Sequence, residues 1–230
     1  MKEVIIAVVA SILIGYLLGC INLSYIMCKK KGFDIRKYGS GNAGASNVMI
    51  VVGRKKGAVV AILDIAKAYI AVKICSLLFP YATLGDGNYA ACIAGTMAII
   101  GHIFPFYMSF KGGKGLASLG GTILALDYRM FFVLLFIALL IALISDYICF
   151  VPISMALIFP VTYGYLHGSY IYTLILLCAS VFIWYKHMEN IHRIKTGEEL
   201  QFHFLWNRKS EAERFGIADD GEDIFTKNKV

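Results

Sequence analysis

The sequence predicts an all-α protein, a polytopic bundle of about seven membrane helices, amino terminus outside and carboxyl terminus in the cytoplasm. Three observations predict it. Of 230 residues, 59% are apolar and 16% charged, against roughly half and a quarter in a soluble domain, and the mean hydropathy is +0.70. The apolar residues lie in long runs broken by short polar stretches. Basic residues concentrate in one loop: segment 29–56 carries Lys29, Lys30, Lys31, Arg36, Lys37, Arg54, Lys55 and Lys56 against one acid, Asp34. Inside-facing loops hold such an excess of lysine and arginine.

The first run, Val4 to Cys28, exceeds the roughly 20 residues that cross a bilayer and ends at Lys29-Lys30-Lys31. Leu17-Leu18-Gly19-Cys20 resembles a lipidation box, but the apolar run continues to Met27, which favours an uncleaved span. Gly15 and Gly19 are spaced for close helix packing. A second run covers Gly57 to Phe79. After the polar break Gly85-Asp86-Gly87-Asn88, a third covers Tyr89 to Met108. Four shorter spans follow at about 112–127, 130–145, 148–166 and 170–186. With seven crossings, segments 29–56, 109–115 and everything after Lys186 share one side of the membrane, and Lys186, Arg193 and Lys195 suit that side.

The expected organisation is a membrane domain over 1–196 and a polar cytoplasmic tail over 197–230. The tail carries eight acids and five bases and reads as a solvated appendage. The six cysteines are scattered through apolar segments without a CxxC pair, so they read as small core residues. A net charge of +7 in so apolar a chain points to membrane orientation and anionic ligands, not to nucleic acid.

Three polar segments carry the candidate chemistry. In the first, Gly39-Ser40-Gly41-Asn42-Ala43-Gly44-Ala45-Ser46-Asn47, the glycines match GxGxxG. A dinucleotide site needs a preceding strand and a βαβ unit, which a basic loop between apolar spans does not provide. What remains is a loop whose backbone can approach an anion closely, with Ser40, Asn42 and Asn47 adding hydrogen bonds. A flexible surface loop is the competing reading. The second, Gly101-His102 through Phe110-Lys111-Gly112-Gly113-Lys114-Gly115, sets two lysines among glycines and makes a compact anion cradle. It lacks the spacing of a Walker A loop, and its competing reading is inside-facing charge at a helix end. His102 reads as a structural hydrogen-bonder, because no second ligand at metal spacing accompanies it.

In the third, His187 and Asn190 stand three residues apart on a helix face, followed by Arg193 and Gly197-Glu198-Glu199. His187 can accept a proton near neutral pH. Within the second span, Asp64 and Lys67 stand one turn apart. An ionisable pair inside a membrane helix is costly, so it reads as a brace or a functional pair.

Taken in order on one membrane face, these segments resemble the three motifs of the bacterial acyl-phosphate:glycerol-3-phosphate acyltransferases. The resemblance runs from Val4 to about Glu199. It implies transfer of a fatty acyl group from acyl phosphate to the 1-hydroxyl of glycerol 3-phosphate, giving lysophosphatidate for phospholipid synthesis at the bacterial cell membrane, with the site on the cytoplasmic side. No cofactor or metal is implied, since acyl phosphate is already an activated anhydride. The expected partners are the two substrates and the bilayer.

By resemblance, Ser40, His187 and Asn190 are the catalytic candidates, with His187 aligning or deprotonating the hydroxyl unless the substrate phosphate serves as base. Gly39, Gly41, Asn42, Asn47, Arg54, Lys111, Gly112, Gly113, Lys114 and Gly115 are the substrate-binding candidates. Asp64, Lys67, His102 and Glu198 are expected to support them. Two positions depart from the family pattern. An arginine after Asn47 is replaced by Ile50, with Arg54 one turn on, and a serine-containing stretch is replaced around Cys149. A divergent member acting on another phosphorylated acceptor, or binding lipid without turnover, and a small anion transporter are the alternatives.

Overall fold

The structure, a computed structural model, describes residues 1–205. The tail beyond them, including the acids from Glu211 onward, lies outside the described residues. Among the described residues the chain forms nine α-helices: α1 Lys2–Cys20, α2 Leu23–Lys30, α3 Ala45–Val51, α4 Arg54–Leu78, α5 Tyr89–Ile103, α6 Leu116–Leu126, α7 Tyr128–Ser145, α8 Phe150–Leu166 and α9 Tyr170–Lys195. A two-residue hairpin, Thr83–Leu84 paired with Gly87–Asn88, links α4 to α5.

The bundle is apolar outside and polar inside. Phe132, Val133, Phe136, Leu139, Leu143 and Ile144 of α7 are exposed, whereas Asn22, Asn47, Asp64, Lys67, His102, His187, Asn190 and Glu199 are buried. In water that arrangement would be a large sticky surface, and in lipid it is the expected one. By length and composition, four segments can cross a membrane: Lys2–Lys30, Tyr89–Met108, Tyr128–Ser145 and Tyr170–Lys195. Helix α4 is long enough but carries Asp64, Lys67 and Lys73, and α6 and α8 are shorter apolar helices.

Helix α5 is the central element and packs on α1, α4, α6 and α9. Small residues permit the closest of these contacts, as the Gly15/Gly19 spacing suggested. A Cβ on Gly15 would stand 2.4 Å from the Ala94 carbonyl oxygen, and one on Gly19 would stand 2.3 Å from that of Ala98. A larger core, built on Phe159, Tyr163, Tyr172 and Ile183, joins α5–α9.

Several expected boundaries move. The first run is not one helix but breaks at Ile21-Asn22, because Asn22 caps α2: its Oδ1 accepts from Tyr25 N at 2.9 Å and its Nδ2 donates to Ala43 O at 3.0 Å. The break leaves the Ile21 carbonyl outside the helical ladder, where it accepts Lys67 Nζ at 2.7 Å. The expected polar break at 85–88 is the hairpin turn, held by the Tyr172 hydroxyl on Leu84 N and O. Helix α6 begins at Leu116, four residues later than expected, since the glycines before it form a turn. Helix α9 runs nine residues past Lys186, so His187, Asn190 and Arg193 of the third motif are helical, while Gly197-Glu198-Glu199 lie beyond its end. Within the expected tail, Gly197 and Glu198 are exposed, Glu199 is buried, and Phe202 and His203 bond to Asp146.

Candidate active site

Three segments converge at one end of the bundle. The first motif is a self-supporting loop leading into α3. Asn47, 1% exposed, is its pin. Its Nδ2 lies 3.0 Å from Tyr38 O, 2.9 Å from Asn42 O and 3.2 Å from Ile35 O, and its Oδ1 accepts from Ser40 N at 2.9 Å. An amide has two hydrogens and two lone pairs, so these backbone groups occupy its donors fully. Asn47 is thus built to shape the loop, in place of the substrate contact expected of it. Gly39 is glycine for the same reason: its φ is +58, and a Cβ would stand 2.3 Å from Asn47 Oδ1. Gly41 N donates to Tyr38 O. Asn42 lies with its Nδ2 over Gly44, the cap of α3.

Arg36, which the sequence offered only as inside-facing charge, ties this loop to the second motif. Its guanidinium chelates Asp34 at 2.8–3.2 Å, donates to Met108 O at 2.7 Å and to Lys111 O at 3.3 Å, and stacks on Tyr25. The guanidinium hydrogen bonds hold the Asp34 carboxyl below its ordinary range despite partial burial.

The second motif folds back on α5. Gly112 N donates to Ile103 O and Gly113 N to His102 O, each at 3.0 Å. These N–H groups were expected to meet phosphate, but they satisfy carbonyls at the helix end instead. A Cβ on Gly113 would stand 2.0 Å from His102 Nε2. The other ring nitrogen, Nδ1, is 2.9 Å from Lys67 Nζ and 3.4 Å from Asp64 Oδ1, and Lys67 is 2.7 Å from Asp64. The expected supporting trio Asp64, Lys67 and His102 is thus one buried cluster under the glycine turn. Gly115, φ +95, precedes α6. Lys111 is exposed, and no contact among the described residues joins its ammonium to the cluster around Lys114. Arg54 is exposed at the start of α4.

Lys114 is the cation brought inward. Its Nζ donates to Asn190 Oδ1 and lies 3.9 Å from Glu189 Oε2. Burial, and then the nearby Arg193, lower its pKa to about 8. Asn190 Nδ2 in turn donates to Glu199 Oε1. Arg193 Nε is 3.2 Å from Glu199 Oε2, and its Nη1 reaches Ser40 O at 3.3 Å, joining the first motif to the third. Arg193 Nη2 is buried without a hydrogen-bond partner among the described residues. The carboxylate at the site is Glu199. Glu198, the residue expected there, is exposed. One turn before Asn190, the His187 ring bonds through Nδ1 to Ile183 O at 2.7 Å. A carbonyl only accepts, so the neutral ring carries its proton on Nδ1 and keeps a lone pair on Nε2.

Sequence reasoning left Arg193 and Glu199 outside the candidates. Arg193 was findable, since it stands three residues beyond Asn190 as Asn190 stands three beyond His187. Ile50 lies on α3, partly buried. Cys149, at the cap of α8, is buried, and burial with Glu199 nearby pushes its thiol up to about 11. It stays protonated and is no nucleophile. No group of three or more His, Cys, Asp or Glu side chains is placed to hold a metal among the described residues.

An integral-membrane helical bundle with a lysine, an arginine, a histidine and two amides gathered at one end is built to handle an anionic substrate at the lipid boundary. Residues 9–197 match the family described as glycerol-3-phosphate acyltransferase, and the chain belongs to that family. It is 37% identical over 205 residues to "Glycerol-3-phosphate acyltransferase 1" of Oceanobacillus iheyensis, covering 88% of this chain and 98% of that protein. It is 36% identical to the Glycerol-3-phosphate acyltransferase of Thermoanaerobacter sp., covering 83% and 93% of the two chains. Among solved structures it resembles PlsY (YgiH), an integral membrane glycerol 3-phosphate acyltransferase, in its glycerol 3-phosphate form. That match has TM-score 0.77 and 29% identity, over 88% of this chain and 98% of the other. The lysophosphatidic acid form gives TM-score 0.72.

Proposed function

We propose that this chain transfers a fatty acyl group from acyl phosphate to the 1-hydroxyl of glycerol 3-phosphate, releasing lysophosphatidate and inorganic phosphate. One observation supports it above the rest: Lys114, Asn190, Glu199 and Arg193 form a continuous polar chain ending on Ser40, with a buried guanidinium nitrogen left unpartnered. A phosphate oxygen is the partner a buried guanidinium suits best.

In this reading Lys114 and Arg193 hold phosphate, Ser40 and Asn190 orient the glycerol end, and His187 takes the hydroxyl proton at Nε2 as the hydroxyl attacks the acyl carbonyl. Phosphate is the leaving group, so no covalent enzyme intermediate is needed. Catalysis comes from holding two anions together and aligning the hydroxyl. The glycines and Asn47 shape the cradle, and the Asp64–Lys67–His102 cluster sets the turn that carries Lys114. The test is a purified-protein assay with acyl phosphate, acyl-CoA and acyl carrier protein as competing donors. Turnover with acyl-CoA or the carrier protein but not with acyl phosphate would overturn the donor assignment.

The proposed topology has seven crossings, counting α1–α2 as one and then α4 through α9 without a break. The amino terminus is outside, and the site faces the cytoplasm of a bacterial cell. Support comes from the eight bases against one acid in segment 29–56 and from the grouping of all three motifs at one end. The membrane body extends through His203, beyond the boundary at 196. Single cysteines at Lys30, Lys114 and Arg193 in a cysteine-free background are expected to be protected from an impermeant thiol reagent added outside, and one at Asp86 to be labelled. Outside labelling at position 193 would remove the shared site.

Arg193 also bears on Ile50. An isoleucine offers no donor where relatives of the resembled pattern carry a guanidinium. If Arg193 supplies the missing cation, Ile50→Arg changes the KM for glycerol 3-phosphate less than about threefold, while Arg193→Ala raises it about tenfold or more. A large fall in KM in Ile50→Arg would instead mark a vacant cation position, and loss of activity in Arg54→Ala would assign the contact to Arg54.

A further inference from the structure

The chain doubles back after α9. Gly197 adopts φ +75, and the N–H groups of Glu198 and Glu199 both reach Arg193 O, at 2.8 and 3.1 Å. Three residues beyond Glu199 the chain is caught again, by a single residue. Phe202 N donates to Asp146 O at 2.6 Å, His203 N donates to Asp146 Oδ1 at 3.0 Å, and His203 Nδ1 lies 2.7 Å from Asp146 Oδ2. Asp146 ends α7 with φ +57, in the left-handed region that residues other than glycine seldom adopt. In that conformation it presents its carbonyl and both carboxylate oxygens to the returning strand.

Between the two anchors sits Glu199, 7% exposed. It is the residue that holds Asn190 Nδ2 and faces Arg193. We propose that Asp146 and His203 form a clasp that positions Glu199, and through it Asn190 and Arg193, for acyl transfer. This rests on the reading above that Asn190 and Arg193 touch the substrate.

The physical need is specific. Asn190 is oriented from both ends, its oxygen by the Lys114 ammonium and its nitrogen by the Glu199 carboxylate. With Glu199 withdrawn, the amide is held from one end only and its buried nitrogen loses its acceptor. Lys114 and Arg193 would also lose the anion between them, leaving a more positive but less ordered site. A segment anchored at one end frays, and a second anchor closes it into a short loop at little entropic cost. Asp146 and His203 do not reach the reacting atoms, so they are positioning residues.

The clasp predicts that turnover and affinity move in opposite senses. In the full-length purified protein, His203→Ala is expected to lower kcat about ten- to hundredfold while the KM for glycerol 3-phosphate falls, because the cations are no longer neutralised. His203→Asn, whose amide nitrogen stands near the place of Nδ1, is expected to restore most of kcat. Glu199→Gln should show the same signature, and adding His203→Ala to it should change kcat less than about twofold, since both act through one carboxylate.

A fall in kcat with unchanged KM and a parallel loss of thermal stability, or additive losses in the double variant, would make the clasp a brace and overturn the proposal. So would wild-type kinetics in His203→Ala while Glu199→Gln is impaired. If Glu199→Gln is itself unaffected, the site reading fails together with the clasp. Should Glu199→Gln not fold, the KM shift in His203→Ala and its rescue in His203→Asn still decide.

Discussion

Lys114→Ala lowers kcat/KM for glycerol 3-phosphate about ten- to hundredfold. A phosphate that loses a charge-assisted hydrogen bond loses roughly 1.5–3 kcal/mol. The loss has a second source here. Asn190 Oδ1 loses its donor at the same time, so an amide oriented from both ends is held from one. The same lysine sets a pH dependence. Its pKa is lowered to about 8, by burial and then by Arg193. The free enzyme therefore carries the charge below that pH and loses it above, and kcat/KM falls as pH rises through about 8. Lys114→Arg keeps its proton far higher and moves this descending limb upward, at some cost in fit. An alanine variant with nearly normal kcat/KM, or a limb that stays put in the arginine variant, would remove Lys114 from the phosphate site.

His187→Ala lowers kcat by about a hundredfold or more, the usual contribution of a positioned general base, with KM for glycerol 3-phosphate within about threefold. The reasoning is the tautomer. Ile183 O fixes the proton on Nδ1, which leaves Nε2 as the one group on that ring able to accept. His187→Gln offers an acceptor oxygen but no basic nitrogen and should recover little. If the substrate's own phosphate is the base, the alanine variant loses less than about tenfold, and glutamine recovers it by restoring alignment alone.

The helical membrane class was legible because apolar runs leave the coarsest of all patterns. Helix ends were less legible, even where a capping side chain or a glycine marks them. Asn22 breaks the first run by an N-cap that looks, in sequence, like one polar residue in an apolar stretch. The apolar pattern ends the last span at about residue 186 because the turns beyond it are polar; those turns continue α9 and carry His187, Asn190 and Arg193. At the site, residue types were legible and roles less so. Asn47 and the N–H groups of Gly112 and Gly113 look like ligands for an anion. Their bonds run to the chain's own backbone, which depends on loop closure that no local pattern encodes. Glu198 and Glu199 are adjacent and alike, and only the direction of the turn at Gly197 decides which one faces inward.

The cluster of Asp64, Lys67 and His102 has a consequence for how the molecule can be divided. Its members come from α4 and α5, and its lysine also leans on a carbonyl at the end of α1. Each helix supplies what another would otherwise lack in hydrocarbon, where an ionised residue at the centre of a helix costs roughly 2.5–3.5 kcal/mol on insertion scales. A shortened version without α1 strands the ammonium of Lys67 short of one acceptor, and a version without α5 strands the Asp64–Lys67 pair facing lipid. The smallest self-sufficient piece of this protein therefore contains α1, α4 and α5 together, although α2 and α3 separate α1 from the other two along the chain.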